Sequence, residues 1–397
     1  MNRINWTRIM FSWIALGVLG LFVFGGTPSS AQADSTSGAW FAFPSKGLNS
    51  SVLALAAKGK DIFVGGGFSR TQNHILKMSR IARFNVPTNT WSALPHNGLN
   101  DAVRAIAVIG DYVYVGGEFR QTQDGKVTNL NHIARFNTKT NTWSALPHKG
   151  LDGPVYAFAK HGTDLYVGGL FLKNADGVTP TLLNIAKFNT VTNTWSALPN
   201  GGVDALVHAL AFIGNDLYVG GGFYDTADHN LTNLNRIVKF DTVSNQWSPL
   251  PHQGLNAGVN ALAVSGTSLY VGGAFTKTAD QQVTNLNYIA RYDTTTNTWL
   301  PLAHGGVDQV VFALAAKGNT LAVGGRFIAS NDGAVVALNK LAQYDSLTET
   351  WSALSHNGLD DDVEALMFRG KALYVGGLFT HTGDGVINKL NRIAKYK

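Results

Sequence analysis

The 397-residue sequence contains no cysteine. Disulfides, thiolate metal sites and cysteine nucleophiles are therefore excluded, and the chain must be held by its apolar core, which its length permits. Charge is sparse: Asp, Glu, Lys and Arg together make up 14%, and the only glutamates are Glu118, Glu349 and Glu364. A net charge of +6 on so long a chain leaves no nucleic-acid footprint. After residue 24 no stretch approaches the ~18 apolar residues needed to span a bilayer. The G-x-S-x-G elbow, the H-E-x-x-H pair, the P-loop and the S-x-D-x-G-x-T-W box of sialidases are all missing. These absences weaken an enzymatic reading, although paired aspartates could still serve a glycosidase.

Glycine is abundant at 44 residues and hydrophobic residues make up 45%, a packed and β-rich composition. Residues 1–33 read as a secretory signal peptide. Arg3 and Arg8 form its positive start, Ile9–Phe24 its apolar run, and Ala31-Gln32-Ala33 its small-residue cleavage site. Cleavage there lowers the net charge to +4 by removing those two arginines. The expectation is an exported protein of the cell envelope or exterior, with no membrane segment after cleavage. Retention of the segment as an uncleaved anchor is the alternative.

What is present above all is a repeat. Gly-Gly doublets begin at 65, 116, 168, 220, 272, 324 and 376, one step of 51 and five of 52. Phe68, Phe119, Phe171, Phe223, Phe275, Phe327 and Phe379 follow them at a constant offset. A period of this size means an array of units too small to bury a core alone. Period-2 alternation between turn residues predicts four strands per unit, as in Val207–Phe212, Leu217–Gly221, Arg236–Asp241 and Gln246–Leu250. Side-chain size rises along the unit, from Ala209 and Ala211 through Gly220-Gly221 to Phe240 and Trp247. Sheets set radially around an axis splay outward, so they need small residues inside and aromatics outside. The pattern predicts an all-β fold, a seven-bladed β-propeller of four-stranded antiparallel blades spanning 34–397.

The ends fit that geometry. Ala39-Trp40-Phe41 reads as a fourth strand without its first three, and Asn391–Lys397 as a third strand without its fourth. The amino-terminal strand is expected to complete the last blade and close the ring, removing the free edges of an open array. Residues 34–397 number 364, which is seven times 52.

A Gly-Gly doublet ending the second strand, with an aromatic before a Trp as in Phe188 and Trp195, resembles the kelch motif. The longer pattern from Gly-Leu-Asp through Leu-Tyr-Val-Gly-Gly to Trp-Ser-Ala-Leu is similar to repeats of secreted microbial surface proteins. The resemblance covers essentially the whole of 34–397 and implies binding and scaffolding more often than catalysis. Kelch-type propellers also include copper-radical oxidases similar to galactose oxidase. Those need a Cys–Tyr crosslink, which a chain without cysteine cannot form.

The second-to-third-strand loops and the blade-to-blade loops should emerge on one face, and the long loops there are where function is expected. His96, His148, His252, His304 and His356 recur in the blade-to-blade loops. Blades packed at roughly 10 Å keep them from sharing one ion, so they are expected to bond loop backbone. The set Asn49, Asn100, Asp152, Asp204, Asn256, Asp308 and Asp360 reads as turn-formers. Asp124, Asp176, Asp228, Asp280, Asp332 and Asp384 also read as turn residues, because the spaced oxygen ligands of a calcium loop are missing. No metal or cofactor is expected.

Seven similar units serve as their own comparison. The residue after the first Val of each inner strand varies freely: Leu53, Arg104, Tyr156, His208, Asn260, Phe312 and Glu364. The residue after each doublet varies too, and includes Glu118 and Arg326. Arg104, Tyr156, His208 and Glu364 are expected to line a pocket at the axial mouth, with Glu118 and Arg326 beside them. The reading is a monomeric, non-catalytic propeller that binds a protein or a surface glycan. The alternative is a carbohydrate-active lyase or hydrolase using the axial pocket. A Tyr–His–Arg group within about 6 Å would favour the enzyme, and an exposed apolar patch on the long-loop face would favour binding.

Overall fold

A computed structural model describes residues 38–178 and 181–397, so the leader read over 1–33 lies outside the described residues. The described strands form seven four-stranded antiparallel sheets. Blade 4 is typical, with Val207–Ile213, Asp216–Gly221, Ile237–Asp241 and Gln246–Pro249 from the axis outward. In the first six blades each pair of neighbours is joined by a tight turn or a polar loop, so strand order follows chain order. The loops between blades also hold six single 3-10 turns, such as Pro95–Asn97, where no helical segment was expected. Proline fixes φ at the first position of most of them, and a glycine closes each.

The seventh blade is assembled from both ends of the described chain. Trp40–Ala42 pairs antiparallel with Ile393–Tyr396, Trp40 opposite Tyr396 and Ala42 opposite Ala394. The Trp40 and Tyr396 rings meet edge-to-face with centroids 4.9 Å apart. The ring closes as the sequence predicts.

Two contacts explain the Gly-Gly doublet. A β-carbon built on Gly220 would lie 2.4 Å from Cγ1 of Val259 in the next blade. The same clearance recurs around the ring, from Gly65 and Val103 to Gly376 and Val52 across the closure. A β-carbon on the second glycine, Gly221, would lie 2.1 Å from the carbonyl oxygen of Leu206 in its own blade. One glycine thus admits the neighbouring blade, and the other admits the inner strand.

The outer strands are tied to the linkers between blades. Each outer tryptophan donates its indole N–H to a backbone carbonyl, as Trp91 to Pro44 (3.2 Å) and Trp247 to Pro199 (3.0 Å). Trp40 makes the same bond to Ser355, at 2.9 Å, and so completes a set of seven. A large aromatic with a satisfied polar atom fills each outer wedge, buried in six blades and partly buried at Trp195.

The size gradient needs one correction at the axis. The sequence also predicts a buried apolar row two residues beyond the variable ones, but Leu55, Ile106, Phe158, Leu210, Leu262, Leu314 and Leu366 line the axial channel and are half-buried. The paired alanines beside the first glycines, such as Ala54 and Ala209, are the buried ones. Seven blades leave an axial gap that leucine side chains line without filling.

Candidate functional site

The inner strand of every blade carries an irregularity at its first residues. In blade 4, Val207 faces Gly221 but Ala209 faces Gly220, so two inner steps oppose one. The same offset occurs in the other six blades. A β-bulge adds one residue and re-aims its side chain. The added residue here is the variable one. Leu53, Arg104, Tyr156, His208, Asn260, Phe312 and Glu364 therefore converge on one axial cavity of about 300 Å³.

Four of the six residues picked from sequence line this cavity: Arg104, Tyr156, His208 and Glu364. Glu118 and Arg326 stand beside it as ion-pair partners. Arg104 donates from Nε to Glu118 at 2.6 Å within blade 2. Arg326 grips Asp362 through Nε and Nη2, at 3.0 and 2.6 Å to one oxygen. Asp362 is buried and was missed. The position before each inner Val varies as widely as the one after it, from Ser51 to Pro154 to Asp362, and the same comparison of units would have found it.

The aromatic groups continue the row. The Arg104 guanidinium lies 5.3 Å from the Tyr156 ring centre, and the Tyr156 and His208 rings are 5.4 Å apart. Burial raises the Tyr156 hydroxyl above its ordinary range, with Arg104 opposing. Burial also lowers the His208 imidazole, and Arg104 adds to the effect. Tyr156 thus stays a hydroxyl donor at neutral pH, and His208 stays uncharged.

Glu364 is pushed up by burial first, against the pull of Arg104 and with help from Asp362. A carboxyl raised on folding contributes stability that is complete below its unfolded value, near ~4.3, and is lost as pH rises through the folded value. Glu364→Gln is accordingly expected to melt higher than the parent at pH 7, with the gap closing by about pH 4. Melting curves across that range check this, and a gap constant with pH would refute it.

The recurrent loop residues form a second, structural pattern. The Asn49 side chain accepts from the amides of Ser69 and Arg70, and Asp360 does the same for Thr380 and His381. These are the turn-formers expected. The histidines need a correction: they bond a side chain rather than backbone. His96, His148, His252, His304 and His356 each place Nδ1 2.8–3.0 Å from the long-loop aspartate of the same unit. The left-handed backbone at each histidine, φ 62° at His96, turns the imidazole across to that loop. Burial would raise Asp124, but bonds from His96, the Lys126 amide and Thr122 outweigh it and hold the carboxyl at about 2.

One off-axis group has metal-compatible atoms, Asp204, Asp225 and His229, with ligand atoms within 4.8 Å of one another. Its carboxylates already accept the amides of Tyr224 and Asn233. Exposed apolar side chains also gather on the long loops of blades 3 and 4, with Leu170, Leu172 and Tyr224 each about half exposed (49%, 54% and 52%).

Seven closed blades with identity carried on bulged inner strands define a β-propeller repeat protein. A family model of the kelch motif matches residues 208–252. The polarized growth protein rax2 of Schizosaccharomyces pombe is 37% identical over 121 residues, 30% of this chain and 10% of that protein. The kelch-like protein terF of Aspergillus terreus is 24% identical over 338 residues, 74% of this chain and 66% of that one. Kelch domain-containing protein 3 of Rattus norvegicus is 26% identical over 225 residues, half of this chain and 56% of that one. The chain thus spans between about a tenth and two-thirds of the curated relatives it matches. The computationally designed Ika8 protein aligns over 88% of this chain and 97% of its own, with a TM-score of 0.51 at 17% identity, a likeness of fold alone. The chain is a seven-bladed β-propeller that carries a kelch motif at residues 208–252.

Proposed function

We propose that this propeller is exported and binds a protein partner without catalysis, using the long-loop face and its axial mouth. The observation that carries the reading is the cavity itself. Seven bulges present seven unlike side chains in one place, on a scaffold whose flanking Val and Ala positions repeat from blade to blade. A rigid frame with a private set of polar and aromatic contacts suits recognition. The half-exposed Leu170, Leu172 and Tyr224 add apolar area on blades 3 and 4. The kelch-type relatives support a protein partner, and the apolar segment at 9–24 supports export. A surface glycan would use the same mouth, with hydroxyls on Arg104, Asn260 and Glu364 and a sugar face on Tyr156.

A carbohydrate-active enzyme is the second reading, favoured by the Arg104–Tyr156–His208 row within 6 Å. Its chemistry is poorly provided for. The Tyr156 hydroxyl is shifted away from acting as a base, and Arg104 is engaged by Glu118. Among the described residues no hydrogen bond orients His208.

The test is capture of partners by residues 34–397 from surface extracts and on a glycan array, followed by turnover assays on any ligand found. Arg104→Ala and Tyr156→Ala are expected to weaken binding at least tenfold, about 1.4 kcal/mol each. Parent-like binding by both variants would move the site off the axis. Turnover abolished by His208→Ala would establish the enzyme.

A further inference from the structure

Blade 1 departs from the other six on the long-loop face. Its unit is one residue short, and its long loop has Asn73 where the others have an aspartate. Asn73 keeps the turn, accepting from Thr71 Oγ1 at 2.7 Å and the Ile75 amide at 3.3 Å. The negative charge is gone, and so is its histidine, since Ser45 stands at that position.

Cations take their place. The shortened loop folds back so that Arg70 and Lys77 face each other across an antiparallel bridge. His74 stands at the tip in the left-handed region, φ 66°, where four other blades have glycine. Arg70, His74 and Lys77, with Ser69, Ser79, Asn97 and Gln123, line a cleft of about 390 Å³ between blades 1 and 2. Like charges directly opposite each other destabilise a strand pair. Among the described residues no carboxylate bonds the side chains of these three. The neighbouring Asp124, next to Gln123, is committed to His96, Thr122 and the Lys126 amide.

We infer that this cleft binds the phosphate-monoester group of a small polar molecule. Facing cations with no internal counter-ion leave a charge that an external anion can complete, and a monoester carries about −1.5 to −2 at neutral pH. Arginine offers a planar fork and lysine a point charge to its oxygens. Serine hydroxyls and side-chain amides line the remaining wall. The volume exceeds what a phosphate alone would fill and lies in the ~300–1,000 Å³ range of small-molecule pockets. This site is off the axis and independent of the mouth residues.

Calorimetric titration of the full chain with glucose 6-phosphate, inorganic phosphate, glucose 6-sulfate and glucose tests the assignment. Glucose 6-phosphate is expected to bind one-to-one and more weakly as salt rises, with glucose inert. Arg70→Gln and Lys77→Gln should each weaken it at least about tenfold, while Lys317→Gln, in the opposite-face turn of blade 6, leaves it unchanged. Both cleft variants should melt no lower than the parent, because they relieve a like-charge pair. No binding of glucose 6-phosphate, parent-like binding by Arg70→Gln, or loss on Arg104→Ala instead would overturn the site. Equal binding of glucose 6-sulfate would overturn the dianion assignment.

Discussion

Deletion of residues 34–44 is expected to lower the melting temperature by at least about 10 °C. The deleted segment carries the outer strand of blade 7 and the connection into blade 1. Trp40 is buried against Tyr396 and bonds Ser355 in the linker before its blade. Phe43 packs on Phe84, Trp91 and Tyr374, which belong to two different blades. Loss of a buried Phe or Trp costs about 3–5 kcal/mol each, against a typical total of about 5–15 kcal/mol. The deletion also exposes the edge of Ile393–Tyr396, whose pairing partner is removed. Thermal melts of parent and deletion, followed by circular dichroism, decide it. Coincident curves would mean that the seventh blade does not depend on its borrowed strand.

The second large effect is expected between blades. Gly220→Ala places a methyl 2.4 Å from Cγ1 of Val259, well inside contact distance. Overpacking of this kind costs about 1–3 kcal/mol, and the two blades must separate to relieve it. Val259→Ala alone should also destabilise, by removing buried methyls. Together the two should recover much of the loss, with a coupling of about 0.5–3 kcal/mol in a double-mutant cycle from urea unfolding. Strictly additive effects would show that the two residues do not meet. Gly214→Ala is a useful control: its φ is 58° with nothing within 4 Å, so it reports backbone strain without any clash.

Much of the architecture could be read before any coordinates. The interval between Gly-Gly doublets, the alternation within each unit and the split final unit identify seven four-stranded blades and their closure by Trp40–Ala42. These features are legible because each is a local pattern repeated, and repetition separates what the fold requires from what it leaves free. The same logic located Arg104, Tyr156, His208 and Glu364, since a position that varies among otherwise similar units is not specified by packing.

Contacts between units were not legible in this way. The indole bond from each tryptophan spans 47 or 48 residues, or 315 in the case of Trp40, and depends on how one blade is rotated against its linker. Arg326 and Asp362 lie 36 residues apart on neighbouring blades, and only the angle between blades brings them within 2.6 Å. The histidine–aspartate bonds follow from a left-handed backbone at the histidine, which the residue type does not announce. The bulge that aims the seven variable side chains into one cavity is a matter of register, and alternation alone does not reveal a one-residue offset. Sequence by itself determined the number of blades, their closure and which positions are free. Tertiary structure decided where those free positions point, because that depends on ladder offset and inter-blade rotation, neither of which is encoded within a single repeat.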